Sequence, residues 1–164
     1  MEERRKILNG IHEIALRLLA IMTTCKTAMT VERLIVYSYF ALYLSDYNQQ
    51  ECSIHPKIPY RNSSLINCND AIMQALEMLL TKGFVECDVA ASSLKFKATE
   101  LGIALYRQID GNYKEKLIES IMKTHTLMMG KSDRYLHDYI YSHIEQWGSE
   151  FEYESVLKGI VYEE

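Results

Sequence analysis

The sequence lacks long apolar runs, an excess of positive charge and closely paired cysteines. No segment approaches the roughly 20 consecutive apolar residues of a membrane helix, so we expect a soluble protein with no membrane role. The net charge of -4 gives the chain no electrostatic reason to seek nucleic acid by itself. The four cysteines have no paired spacing, and the charged residues EERRK after Met1 argue against a secretory signal. Together these absences predict a cytoplasmic chain with free thiols.

Sequence signatures of catalysis are also missing. The chain contains no Gly-rich phosphate loop, no GxSxG motif and no carboxylate grouping like that of metal-dependent nucleases. Cys52 and His55 form the only short Cys/His pair, and no second pair lies at a zinc-site distance. His125, His137 and His143 fall on helical faces, where hydrogen-bonded core histidines are the usual outcome. We therefore expect no enzymatic activity, no cofactor and no metal site.

The composition of the chain fits one domain, or a small domain with helical extensions. It has 164 residues, of which 48% are hydrophobic and 24% are charged, enough to bury a core. We predict a mainly α fold with a minor β component. A winged-helix core at residues 30–110 is preceded by an amphipathic helix in residues 1–29 and followed by a helical extension and acidic tail in residues 111–164.

The winged-helix prediction follows from the order of the elements. Thr30 is a good N-cap for the first helix, whose tyrosines are expected to fill space between core and solvent. Gly83 is suited to end the second long helix in a left-handed cap. The short ribbon that follows must pack on its flanking helices because it cannot bury its own face. The predicted elements are helix 30–44, a short helical turn at 63–66, helix 70–82, ribbon strands within 84–87 and 94–97, and a helix from Thr99.

The two flanks of this core are also predicted to be helical. Residues 2–23 carry a long apolar stripe, which must pack either on its own domain or on a second copy or another protein. Residues 112–129 and a helix capped by Ser132 are expected to form an antiparallel pair. The tail from residue 148 alternates acidic with apolar residues, and its pattern leaves a strand, a short helix and a loose tail open.

The irregular stretch at residues 45–69 holds both prolines, Pro56 and Pro59, in the segment HPKIPYR. A loop of this length inside a compact domain is usually functional or disordered. Prolines stiffen its backbone, and Arg61 is left to reach a partner, with a solvated or locally salt-bridged Arg61 as the alternative. The candidate partner-binding residues are His55, Tyr60 and Arg61 in this loop and Lys95 and Lys97 on the wing.

Several of these segments resemble a known family. The run ERLIVYSYFALYL, then HPKIPYR, GFVEC and TELGIALY, is similar to the middle component of bacterial ABC-three-component systems, and in particular to the small subunit of Lamassu-type SMC anti-phage defence complexes. The resemblance implies an adaptor between an SMC-like or Rad50-like ATPase and a nuclease-type effector. Such an adaptor restrains the effector until DNA is sensed and contacts DNA only indirectly, through the complex. Whether the complex holds a second copy of the adaptor is left open.

The rival hypothesis is a winged-helix transcriptional regulator that reads DNA. Such a protein places its third helix in the major groove and needs several Lys or Arg for phosphate contacts. The solvent side of residues 70–82 offers Asp70, Gln74, Glu77 and Thr81, with Lys82 as its only cation. Direct base reading is therefore disfavoured, although the wing lysines remain suited to backbone contact within an assembly.

Overall fold

Six α-helices and one two-stranded ribbon form the part of the chain that the computed structural model describes, residues 10–62, 65, 68–89 and 93–147. This composition confirms the predicted mainly α class with a minor β component. The elements are α1 (Ile11–Cys25), α2 (Val31–Phe40), a 3-10 turn (Leu44–Asp46), α3 (Cys68–Thr81), β1 (Val85–Asp88), β2 (Lys95–Ala98), α4 (Glu100–Arg107), α5 (Asn112–Met128) and α6 (Asp133–His143).

Helix α1 lies at the centre of the fold. It packs against α2, α3, α4, α5 and β2, and its four consecutive residues from Leu18 to Ile21 are all fully buried. Four consecutive buried residues require neighbours on every side of that turn of the helix, whereas Leu16, earlier in α1, stays 41% exposed. The apolar N-terminal stripe therefore packs on its own chain within the described residues, which decides between the two alternatives left by the sequence. Residues 2–9, which the sequence assigns to the same stripe, lie outside the described residues.

The hydrophobic core is one continuous cluster. It joins residues of α1, α2 and α3 with residues of α5 and α6. Buried side chains of residues 1–29, 30–110 and 111–164 therefore belong to the same cluster. The predicted division of the chain at positions 29 and 110 stays a prediction. Because α1 fills the centre, the helices that follow it assemble around it rather than around a separate core.

Helix α2 is more buried than its amphipathic pattern predicts. The Thr30 side chain accepts a hydrogen bond from the Arg33 amide, which confirms the predicted N-cap. Tyr37 and Tyr39 are buried, so the expectation that the tyrosines lie between core and solvent was wrong for both. The reason is that later segments cover them, since the Tyr37 hydroxyl lies 3.0 Å from His125 Nδ1 on α5 and the Tyr39 ring stacks on Trp147. The helix also ends at Phe40, where the chain turns toward Leu44–Asp46.

The ribbon and its flanking helices follow the predicted order. Gly83, just beyond the end of α3 at Thr81, has the predicted left-handed conformation, with φ 74°. The strands β1 and β2 pair antiparallel. Met29 extends this sheet by a single bridge to Phe96, which ties the α1–α2 connection to the ribbon. Thr99 caps α4 by accepting from the Gly102 amide. The predicted helical turn at residues 63–66 lies outside the described residues except for the buried Leu65.

The last two helices do not form the antiparallel pair that their pattern predicted. Ser132 caps α6 as expected, since its side chain accepts from the Tyr135 amide. However, α6 packs mainly on α2. Asp133 fixes this arrangement, because it accepts from the Arg33 Nε at 2.6 Å and from the Thr30 hydroxyl at 2.7 Å. The tail from residue 148, with its open choice of conformation, lies outside the described residues.

Candidate partner-binding surfaces

Arg61 is buried in its own chain and is not presented to a partner. Its Nε and Nη2 donate to the two Asp46 carboxylate oxygens, each at 2.8 Å, and the two side chains are 0% and 1% exposed. The Tyr39 hydroxyl also donates to Asp46 at 2.7 Å. The prediction that Arg61 reaches a partner was therefore wrong, and the locally salt-bridged alternative is confirmed. The physical reason is that the 3-10 turn places a carboxylate directly where the loop returns to the core.

The sequence did not identify Asp46 as the partner of Arg61. The two residues are 15 positions apart and no helical or strand periodicity connects them. A signal was nevertheless present, since Asp46 is an acidic residue near the start of the same irregular stretch, residues 45–69, that contains Arg61. The Arg61–Asp46 ion pair closes this stretch into a loop and holds the HPKIPYR segment on the domain. Burial, reinforced by the hydrogen bond to Asp46, also raises the pKa of Tyr39.

The other two candidates in the loop lie closer to solvent. Tyr60 is 60% exposed and adopts a left-handed backbone with φ 56°, which turns the chain just before Arg61 enters the core. His55 is half-buried, and its Nε2 lies 3.1 Å from the Tyr113 hydroxyl on α5. Burial lowers the pKa of His55, and the charge of Arg17 lowers it further. Both residues remain predictions as partner contacts.

The wing lysines are exposed but lie among carboxylates. Lys97 Nζ is 2.9 Å from Glu86 Oε1 across the ribbon, and Lys95 stands opposite Asp88 in the strand register. The hydrogen bond to Glu86, together with its charge, raises the pKa of Lys97. Exposed pairs of this kind are weak, but they balance the charge of the wing. The ribbon therefore carries no net positive strip for a phosphate backbone.

A groove runs along the outer face of α3, where a DNA-reading winged helix would contact bases. Its volume is about 420 Å³, and Phe96 from β2 closes one side. Two of its apolar residues, Met73 and Leu80, are 50% and 37% exposed. Two carboxylates stand among them, and within the part of the chain that the structure describes no Lys or Arg contributes to the lining. The lining residues are Asp70, Met73, Gln74, Leu76, Glu77, Leu80 and Phe96.

The groove has the chemistry of a protein contact. Phosphate groups require Lys or Arg side chains and helix N-termini, whereas Asp70 and Glu77 repel them. Exposed methionine and leucine on a concave surface are typical of a site that buries apolar side chains of a partner. The sequence pattern indicated the acidic residues of this face. The apolar part of the groove depends on Phe96 of β2 lying against α3, a contact that the pattern of α3 alone does not show.

Two absences characterise the described residues, 10–62, 65, 68–89 and 93–147. Within these ranges no three His, Cys, Asp or Glu side chains come together as a metal site would require. In the same part of the chain, no helix combines the length and the low polarity needed to cross a bilayer.

The fold and its surfaces define a mainly helical protein whose outer α3 face is apolar and acidic. The family model of the ABC-three component (ABC-3C) system Middle Component 2 matches residues 7–150. The chain belongs to this family, and its membership confirms the ABC-3C middle-component resemblance beyond the central segments that first suggested it. Membership in a multi-component system implies protein partners. The chain matches no curated protein and no solved structure.

Proposed function

We propose that this chain is a non-enzymatic adaptor of an ABC-3C defence complex in the cytoplasm. In this proposal it is built on a winged-helix core and bridges an SMC-like or Rad50-like ATPase and a nuclease-type effector, as in Lamassu-type anti-phage and anti-plasmid systems. It restrains the effector until the ATPase senses DNA. Family membership supports the system, and the groove on α3 supports the adaptor role.

The chemistry of the α3 groove is the single observation that carries this proposal. A winged helix that reads DNA presents a cationic third helix, and this one presents Met73, Leu80 and two carboxylates instead. Charge complementarity selects a partner segment that is apolar on one face and basic at its edges. An amphipathic helix of the ATPase or the effector with Lys or Arg flanking its apolar stripe has this chemistry.

A switch of the kind proposed needs differential contacts. The adaptor must bind the effector more favourably in the resting complex than in the DNA-bound complex, because a ligand shifts an equilibrium only by its differential affinity. The α3 groove holds one partner in this scheme, and the exposed Tyr60 with its loop contacts the other. DNA reaches the chain only through the ATPase.

The test is co-purification of the tagged full chain from its native host, with mass identification of the ATPase and effector. Met73→Glu places a charge on the groove floor, and Met122→Glu is the matched control because Met122 is 58% exposed on α5. We expect Met73→Glu to reduce recovery of one partner at least tenfold, equivalent to about 1.4 kcal/mol, while Met122→Glu leaves it unchanged. Equal recovery with both variants would remove the groove from the interface.

The transcriptional regulator stays the alternative function, supported by the order of helices and ribbon. It predicts that the isolated chain binds one DNA duplex tightly with a steep salt dependence. The adaptor predicts weak or no duplex binding by the isolated chain. A fluorescence-anisotropy titration at two salt concentrations separates the two functions.

A further inference from the structure

The outer edge of β1 is the free edge of the ribbon, since β2 occupies the other side of this strand. The hydrogen bonds of β2 show which backbone groups point to that edge. On the far side of β2, Met29 N donates to Phe96 O at 2.9 Å and Phe96 N donates to Met29 O at 2.8 Å. Phe96 therefore turns its N–H and C=O away from β1, and its register partner Cys87 must turn its own groups away from β2.

The alternation along β1 agrees with an outward-pointing Cys87. The Phe84 carbonyl, just before β1, accepts a hydrogen bond at 3.0 Å from the first amide after β2. Antiparallel pairs alternate between bonded and non-bonded, so Phe84, Glu86 and Asp88 bond across the ribbon and the residues between them face outward. Of these, Val85 is buried, whereas Cys87 is half-buried. In the described part of the chain no backbone hydrogen bond joins Cys87 to another segment, so the accessible edge begins there.

Exposed side chains along the ribbon form two rows of opposite charge. Lys95 and Lys97 lie on β2, and Glu86 and Asp88 lie opposite them on β1, with Glu86 Oε1 2.9 Å from Lys97 Nζ. A strand added to the free edge of β1 would place its own side chains beside the two carboxylates, on the side away from the lysines. Lys or Arg in that strand would continue the alternation of charge across the sheet, and Asp or Glu would oppose it.

The row of carboxylates selects against two other occupants of this edge. If β1 paired with β1 of a second copy, with the apolar faces on one side, Glu86 and Asp88 would lie beside the same residues of the copy, and like charges directly opposite each other are destabilising. The chain's own residues 150–154 carry glutamate at every second position and would meet the same repulsion. Natural proteins use charged edges in this way to prevent edge-to-edge pairing. The edge is therefore suited to a strand of opposite charge from another protein.

We propose that the free edge of β1 at Cys87 binds an extended segment of a partner protein as an added β-strand, with Lys or Arg of that segment beside Glu86 and Asp88. Main-chain hydrogen bonds supply the affinity in this mode of recognition, and alternate side chains supply the specificity. Val89 and Leu94, just beyond the two strands, are 79% and 54% exposed and offer apolar contact at the same end. The inference rests on the proposed adaptor function for the source of the strand. No residue of β1 lines the α3 groove, so the two surfaces are separate.

The test measures amide hydrogen exchange along β1 in the ¹⁵N-labelled full chain by nuclear magnetic resonance. In the free chain, we expect the Cys87 amide to exchange fast and the Glu86 amide to exchange slowly, because only the latter is bonded to β2. The probe is a synthetic peptide of about ten residues in which lysine alternates with valine, a length that covers the strand. It should slow exchange at Cys87 saturably, by about tenfold or more. The control peptide, with glutamate in place of each lysine, should leave Cys87 unchanged.

A proline substitution tests the edge itself. Cys87→Pro removes an N–H that the ribbon does not use, so the ribbon should form while affinity for the lysine peptide falls roughly tenfold or more. Cys87→Ser keeps the N–H and is the matched control, with affinity expected to be unchanged. The comparison of the two peptides on the wild-type chain stands whether or not the proline variant keeps its ribbon.

Three results overturn the proposal. Protection of Cys87 in the free chain means that the edge is already covered, by another segment of this chain if the protection is independent of concentration and by a second copy if it rises with concentration. No response to the lysine peptide removes the binding site, and an equal response to both peptides removes the charge selection. These measurements need neither the ATPase nor the effector, so failure of this edge and failure of the adaptor function are distinguishable.

Discussion

Replacing Arg61 by Met tests the buried ion pair that closes the irregular loop. The Met side chain fills much of the aliphatic volume but leaves the buried Asp46 carboxylate without its two guanidinium donors. Among the described residues, the Tyr39 hydroxyl at 2.7 Å and the half-exposed Lys57 Nζ at 3.6 Å remain near it. Removing one partner of a buried pair costs about 3–5 kcal/mol, because an uncompensated charge stays behind.

This loss is large against the stability of the whole molecule. A domain is stable by about 5–15 kcal/mol, so Arg61→Met should remove a substantial part of the free energy of unfolding. At roughly 2–4 °C per kcal/mol for a chain of this length, Tm should fall by roughly 6–20 °C. Urea unfolding followed by circular dichroism measures the loss. Arg61→Glu places a second carboxylate against Asp46 and should be worse, so it is not a clean probe of assembly.

The matched control is Arg134→Met, because Arg134 is 92% exposed and lies 4.0 Å from Asp138. An exposed pair of this kind contributes less than about 0.5 kcal/mol, and its loss should leave the urea midpoint nearly unchanged. The double variant Asp46→Leu/Arg61→Met should recover most of the stability lost by Arg61→Met, since no charge is left buried. If Arg61→Met costs as little as Arg134→Met, the reasoning about the buried pair is refuted.

Two further predictions follow from the packing and from the histidines. Gly102→Ala should lower the free energy of unfolding, measured by urea, by roughly 1–3 kcal/mol, because its new Cβ would clash with the Phe84 carbonyl oxygen. Gly130→Ala is the control: no atom lies within 4 Å of its new Cβ, so it should be neutral in the same urea assay. Burial, aided by the charge of Arg33, lowers the pKa of His125, so the unfolded chain binds a proton at higher pH than the folded chain does. Stability should therefore fall as the pH drops below about 6.5, the usual pKa of histidine. Over that pH range, the urea midpoint of His125→Asn should fall less steeply than that of the wild-type chain. An equally steep fall in the variant would contradict the assignment to His125.

The sequence determined the local elements of this protein. Thr30, Thr99 and Ser132 were recognisable as N-caps, and Gly83 as a left-handed helix end, because a cap depends on hydrogen bonds to amides two or three positions away. The ribbon was recognisable from short-range alternation. Even the acidic character of the α3 face was visible in the sequence, since helical geometry assigns its solvent side from spacing alone.

Tertiary structure decided what the patterns left open. An apolar stripe shows that α1 is buried but not what covers it, and only the packed chain shows it at the centre of one core. Arg61 meets Asp46, and Arg33 meets Asp133, across separations that no periodicity encodes. The burial of Arg17 on α1, where its Nε and Nη1 have no hydrogen-bond acceptor among the described residues, was invisible for the same reason, because burial is a property of the assembled chain.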